Sequence, residues 1–278
     1  MKYMFFNSYP GAENGIDISR KFNGIYRHCP KGWASNQMKL AREVSEIDVV
    51  IIWNALEPCT EWIKKLCYKY HKPWLALEYG FIPQRGHYHL DNKGLISESS
   101  LNDNLSWLTS QMIDEAENYF EQFFKKKKWQ HKKEGNYILC PLQLPWDTSI
   151  YLCSDYHSMD QFIQDVIVNF PKQKIIVTPH PLNKTPQCLS KKIHDQITFI
   201  NNQSTMELAQ NATKIVGITS TVLYEALALG VDTIALGKCP INTHNGNRNV
   251  ARAAFHRQFH HRDFDKFDRL VHSLLNIT

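Results

Sequence analysis

Short apolar runs alternate along the chain with stretches whose apolar positions recur every three or four residues. Asp48-Val49-Val50-Ile51-Ile52-Trp53 is a continuous apolar run, as expected of a strand buried on both faces. Met1–Phe6 reads as an earlier strand. A helix over Cys59–Tyr70 and a strand over Pro73–Glu78 complete a β-α-β unit. From Asn102 to Lys127, Leu105, Leu108, Met112, Ala116, Tyr119 or Phe120, and Phe123 step by three and four, predicting one long helix with an apolar face. The alternation then restarts. Strands are expected over 137–140, 174–177, 197–200, 214–217 and 233–236, and helices over 159–169, 206–211 and 221–229. The tail from Asn249 reads as helical in parts.

Two successive alternating halves predict an α/β fold of two Rossmann-like domains facing a central cleft, 1–133 and 134–278. The boundary is drawn after Lys125–Lys128, Trp129, His131, Lys132 and Lys133. This basic run reads as a helix end that opposes the dipole, followed by a linker. It is also a candidate contact to anionic lipid at the inner face of the cytoplasmic membrane, or to an acceptor.

With 278 residues, 43% of them hydrophobic and 21% charged, the chain has ordinary globular composition. A net charge of +5 suits an anionic substrate and is too small and scattered for a dedicated nucleic-acid binder. Seven cysteines, at 29, 59, 67, 140, 153, 188 and 239, include no Cys-x-x-Cys pair. An odd count without a signal peptide predicts a reducing cytoplasm. The longest apolar tract, Ile215–Gly237, contains Glu225 and Asp232 and divides into strand, helix and strand rather than a membrane span.

In such folds ligands bind beyond the carboxyl ends of strands, and four segments there carry polar chemistry. Glu78-Tyr79-Gly80-Phe81 places a carboxylate at a strand end, where it can enter a cleft or pair with a neighbouring cation. Pro141–Ile150 holds Asp147-Thr148-Ser149 in a proline-stiffened loop, and the same three residues would serve as a helix cap. Thr178-Pro179-His180-Pro181 fixes a histidine between prolines. Thr219-Ser220-Thr221 opens a helix, where hydroxyls and free N–H groups suit phosphate, and Glu225 lies one turn on, placed to accept from ribose hydroxyls. Asp263-Phe264-Asp265 reads as a helix start rather than a metal site, and His256, His260 and His261 lack a further ligand candidate.

Taken in order, these segments resemble the bacterial capsule polysaccharide synthesis transferase family, which includes retaining β-Kdo glycosyltransferases of capsule and lipopolysaccharide assembly. The family pattern runs E-D-G-F, Q-x-x-x-D-[AT]-S-I, K-P-H-P and T-S-x-x-x-x-E-A-L-x-x-G. Here it is met by Glu78-Tyr79-Gly80-Phe81, Gln143 with Asp147-Thr148-Ser149-Ile150, Thr178-Pro179-His180-Pro181, and Thr219-Ser220 with Glu225-Ala226-Leu227 and Gly230. The match spans about residues 74–237. It departs at Tyr79, at Pro83-Gln84, and at Asn242–Asn247, where an aromatic- and glycine-rich segment is usual.

The resemblance implies a GT-B-like architecture and a retaining transfer of a sugar acid, Kdo, from CMP-Kdo to a surface-polysaccharide or glycolipid acceptor. It implies Asp147 as nucleophile in a double displacement, Glu78 as base toward the acceptor, and His180 at the departing phosphate. Donor contacts are expected from Gln143, Thr148, Ser149, Pro181, Thr219, Ser220, Thr221 and Glu225. Cytidine monophosphate leaves readily, so no cofactor and no obligatory metal are expected. A transferase using another activated sugar, a nucleotide-sugar epimerase and a non-catalytic binding module are the competing readings.

Overall fold

The computed structural model describes residues 1–8, 16–28, 37–183 and 189–277. In chain order the elements begin β1 (Tyr3–Asn7), α1 (Ile16–Lys21), β2 (Ile25–His28), α2 (Gln37–Ser45), β3 (Val49–Trp53), α3 (Glu61–Lys69), β4 (Trp74–Tyr79) and β5 (His87–Asp91). Next come α4 (Ser110–Lys127), β6 (Tyr137–Pro141), α5 (Thr148–Cys153), α6 (Met159–Asn169), β7 (Lys174–Thr178), α7 (Lys191–His194) and β8 (Thr198–Phe199). The chain ends with α8 (Thr205–Ala209), β9 (Lys214–Gly217), α9 (Val222–Leu229), β10 (Asp232–Ala235), α10 (Pro240–Thr243), α11 (Asn249–Arg257), β11 (Gln258–His260) and α12 (Phe264–Leu275).

Two compact units form: Met1–Ser100 with Arg257–Thr278, and Leu101–His256. The boundary expected near residue 133 is therefore corrected. It falls inside the second unit, and the last residues return to the first. The basic run does not behave as a free linker, because its backbone and ring are bonded to the second unit. Lys132 N donates to Gln210 O (2.8 Å), and the His131 ring meets Gly230 O and Ala212 O. Glu117 of α4 takes Arg248 and Arg252 at 2.8 and 2.7 Å, joining that helix to α11.

The first unit is built on a sheet of order β11-β5-β4-β3-β1-β2, in which β2, β1, β3 and β4 run parallel and β5 and β11 pair antiparallel. β1 and β3 are buried throughout, which is why Tyr3–Phe6 and the whole of β3 read as apolar runs. β11 comes from the far end of the sequence and pairs with β5. Asp263 caps α12 by accepting from Lys266 N (3.0 Å), so the Asp-Phe-Asp motif is a helix start. Phe267, Val271 and Leu274, spaced as one helical face, join Phe5, Ile51 and Leu75 in the core.

The second unit carries an all-parallel sheet of order β10-β9-β6-β7-β8. Ile138, Cys140, Ile175, Val177 and Val216 pack there against Phe162, Ile163 and Val166 of α6. α4 begins at Ser110, eight residues later than the periodicity suggests. Asn104 Oδ1 accepts from Ser106 N (2.8 Å), a local turn that competes with helix, and Thr109 provides the cap by accepting from Met112 N. The helix buries Ala116, Phe120 and Phe124. Among the described residues no helix is long and apolar enough to cross a membrane.

Candidate functional site

Because the second sheet is wholly parallel, all its strands present their carboxyl ends on one edge. From β6 the chain moves to β7 and β8 on one side, then returns to β9 and β10 on the other. The order thus reverses between β6 and β9, the place where doubly wound sheets open a crevice for ligands. The segments after β6, β9 and β7 bring Gln143, Asp147, Ser149, Thr219, Ser220 and His180 to these adjacent ends.

Gln143 closes the switch point. It is 7% exposed, and its Oε1 accepts from Thr219 N at 2.8 Å. Its Nε2 donates to Thr219 Oγ1 (3.1 Å) and Ser149 Oγ (3.4 Å), and Thr219 Oγ1 donates to Ser149 Oγ (3.1 Å). These three side chains, expected as donor contacts, are buried and bonded to one another. They tie the β6 loop, the start of α5 and the end of β9 into one piece.

Asp147 is the N-cap of α5: its Oδ1 accepts from Ser149 N at 2.9 Å. The cap and the family motif are the same residues, so capping and chemistry are not alternatives here. One oxygen is spent on the helix, and Oδ2 has no partner among the described residues. His180 feels the negative charge of Asp147, but burial has the larger effect and pulls the imidazole below its usual range. Its Nδ1 accepts from Leu182 N (3.2 Å), which puts the proton of the neutral ring on Nε2. The site thus pairs an open carboxylate oxygen with a neutral N–H donor.

Ser220 and Thr221 stand at the start of α9, half-buried. Glu225, one turn on, lies beside Tyr119 of α4; burial first, and then the Glu225 charge, raise that phenol. Thr148 accepts from the Tyr151 hydroxyl at 3.2 Å, and Pro181 is exposed in the turn after His180. Gly230 of the E-A-L-x-x-G segment ends α9 at φ 91°, a conformation that glycine adopts without strain.

Glu78 is carried by β4 of the first unit, and its Oε1 accepts from Tyr79 N (2.9 Å). The glycine of this motif is structural as well: a Cβ on Gly80 would lie 2.6 Å from His87 Cβ. The following turn is held by Gln258 of β11, whose Oε1 accepts from Phe81 N and Ile82 N, both at 2.9 Å. Sequence reasoning missed this residue, and also Asp91 and His89 of β5. Asp91 is buried and accepts from Lys93 N, Gly94 N, Ser100 N and the hydroxyls of Ser99 and Ser100. His89 donates from Nδ1 to Tyr79 O (2.7 Å), and burial lowers its pKa to about 4. The polar patterning of His87-Tyr88-His89 hid a strand with two buried polar side chains.

Among the described residues no group of three His, Cys, Asp or Glu side chains is placed to hold a metal ion. His256 bonds Met112 O in the second unit, whereas His260 and His261 belong to the first. The described cysteines, 59, 67, 140, 153 and 239, are free thiols; Cys29 and Cys188 lie outside the described residues.

The family described as Capsule polysaccharide biosynthesis protein matches residues 91–271. The chain belongs to this family. Its members' shared segment therefore includes the whole second sheet and every second-unit site residue named above. Two solved structures from Thermosulfurimonas dismutans share the fold. They are titled KpsC, beta Kdo 2,7 transferase (TM-score 0.71, 16% identity, 99% of each chain) and KpsC, beta Kdo 2,4 transferase (TM-score 0.64, 17% identity, 90% of this chain and 89% of that one). The two-unit α/β class expected from the alternation, and the GT-B-like architecture implied by the resemblance, are thus the observed ones. Protein FixF of Sinorhizobium fredii (strain NBRC 101917 / NGR234) is 33% identical over 105 residues, 36% of this chain. That alignment spans only 26% of FixF.

Proposed function

We propose that this member of the capsule polysaccharide biosynthesis family is a retaining glycosyltransferase that moves a sugar acid, Kdo, from a CMP-activated donor to a surface-glycan or glycolipid acceptor. The observation that carries the proposal is Asp147: one oxygen fixed as a helix cap, the other uncommitted, beside a neutral histidine at the switch point. The family match and the fold shared with two titled Kdo transferases support the donor class.

In the proposed reaction Asp147 Oδ2 attacks the anomeric carbon. The bond from that carbon to the phosphate oxygen breaks, and its electron pair leaves with CMP. His180 Nε2–H donates to the phosphate as charge develops there. The Ser220 and Thr221 segment also holds the phosphate, and Glu225 the ribose. An acceptor hydroxyl then loses its proton to Glu78 and attacks the same carbon, releasing Asp147. Two inversions leave the configuration unchanged. No step calls for a metal. Lys125–Lys128 are exposed and are the proposed contact to an anionic membrane surface at the cytoplasmic face.

The test has two stages. Thermal-shift assays with CMP, UDP and GDP should show stabilisation by CMP; stabilisation by UDP or GDP alone would overturn the donor class. Intact mass after incubation with CMP-Kdo should show a sugar adduct in the Glu78→Gln protein, and none in Asp147→Asn.

A further inference from the structure

We infer that a polar pocket between residues 104–108 and 244–249, beside β10, is a subsite for a neutral, hydroxyl-rich glycan unit; its role as part of the acceptor site rests on the transferase reading above. The pocket has a volume of about 510 Å³, inside the usual range for small-molecule sites. Asn104, Ser106, His244, Asn247 and Asn249 give its polar lining, and two leucines, Leu105 and Leu108, its apolar part. No Asp, Glu, Lys or Arg lines it, and Arg252, which stands behind Asn249, is already paired with Glu117.

The amides are pre-set. Asn104 Oδ1 accepts from Ser106 N (2.8 Å), Asn247 Oδ1 from Asn249 N (2.9 Å), and Asn249 Oδ1 from Arg252 Nη1 (2.6 Å). Each oxygen is therefore taken, and each amide nitrogen remains a donor with no partner among the described residues. His244 Nε2 donates to Leu101 O (2.9 Å), which leaves Nδ1 as an acceptor. Three fixed donors, one fixed acceptor and two leucines suit a sugar ring, whose hydroxyls both give and accept and whose C–H faces are apolar. A nucleotide phosphate or a sugar carboxylate would want a cation instead.

After β10 the chain turns through α10 and runs back beside the strand: a Cβ on Gly246, between the lining residues His244 and Asn247, would clash with Thr233 O.

The test uses saturation-transfer NMR on the full chain with neutral methyl glycosides of glucose, galactose, N-acetylglucosamine and rhamnose, and separately with CMP. Asn104→Asp and Asn247→Asp keep the oxygen that accepts the backbone N–H and delete the amide donor, so folding is preserved. At least one glycoside should bind, about fivefold more weakly in each variant, with CMP binding retained. Absence of glycoside binding, binding that both variants keep, or displacement of the glycoside by CMP would overturn the inference. Loss of CMP binding alone would instead overturn the nucleotide reading and leave the pocket a glycan site.

Discussion

Asp91 and Asp147 are both carboxylates met at or after a strand's carboxyl end, and they are bonded in opposite ways. Asp91 ends β5 in the first unit, is 1% exposed, and has donors on both oxygens from Lys93, Gly94, Ser99 and Ser100. Asp147 follows β6 in the second unit, is half-buried, and gives one oxygen to a helix cap. A carboxylate saturated by hydrogen bonds in the interior holds a fold; one with a vacant oxygen at a switch point can hold or attack a ligand. The number of donors around the group, rather than its place at a strand's end, separates the two.

The comparison can be broken in four places. The largest effect is expected at Asp147. Asp147→Asn keeps an N-cap oxygen but not the nucleophile, so transfer from CMP-Kdo should fall about a thousandfold or more with little change in melting temperature. Transfer at the wild-type rate would end the nucleophile assignment. Asp91→Ala strips acceptors from buried N–H and O–H groups and removes the anion facing half-buried Arg257. Denaturant titration should register a loss of about 3–5 kcal/mol; a loss under about 1 kcal/mol would mean the cluster is not structural.

His89 should give the first unit a pH dependence. Its folded pKa, about 4, lies below the unfolded value of about 6.5, so the unfolded state takes up the proton first as acid is added. Its contribution is complete above about pH 6.5 and is lost as pH falls toward 4, by about 2–3 kcal/mol. His89→Gln should flatten the stability profile in that window, and an unchanged slope would assign the effect elsewhere. The smallest change is expected at Gln143. Gln143→Met leaves Thr219 N and two hydroxyls without their shared partner, at a cost of about 1–2 kcal/mol. Adduct formation should slow about tenfold while CMP affinity holds. An equal loss of CMP affinity would instead make Gln143 a direct donor contact.

Much of the architecture is legible in the pattern. β3, β6, β7 and β9 are buried parallel strands, and such strands announce themselves by apolar runs. β5 is not legible, because His89 and Asp91 sit in its buried positions, and the bonds that satisfy them, to Tyr79 O and from Ser99 and Ser100, exist only once the neighbouring strand and turn have folded against it. The four motif segments could be found in order, and the loops after β6, β7 and β9 do meet on one edge. Their division of labour could not be found. Gln143, Ser149 and Thr219 look like ligand contacts in a motif, and only their mutual bonds reveal a clamp.

The sequence alone determined the α/β class, the strands buried on both faces, the polar segments that follow them and the family resemblance, because all of these rest on local periodicity or on residues close in the chain. The tertiary structure decided where the units divide, since β11 and α12 return to the first sheet across more than a hundred intervening residues. It also decided which polar groups are spent and which are open. Hydrogen-bond saturation depends on partners such as Gln143 and Thr219, which are 76 positions apart and meet only when the sheet reverses its order.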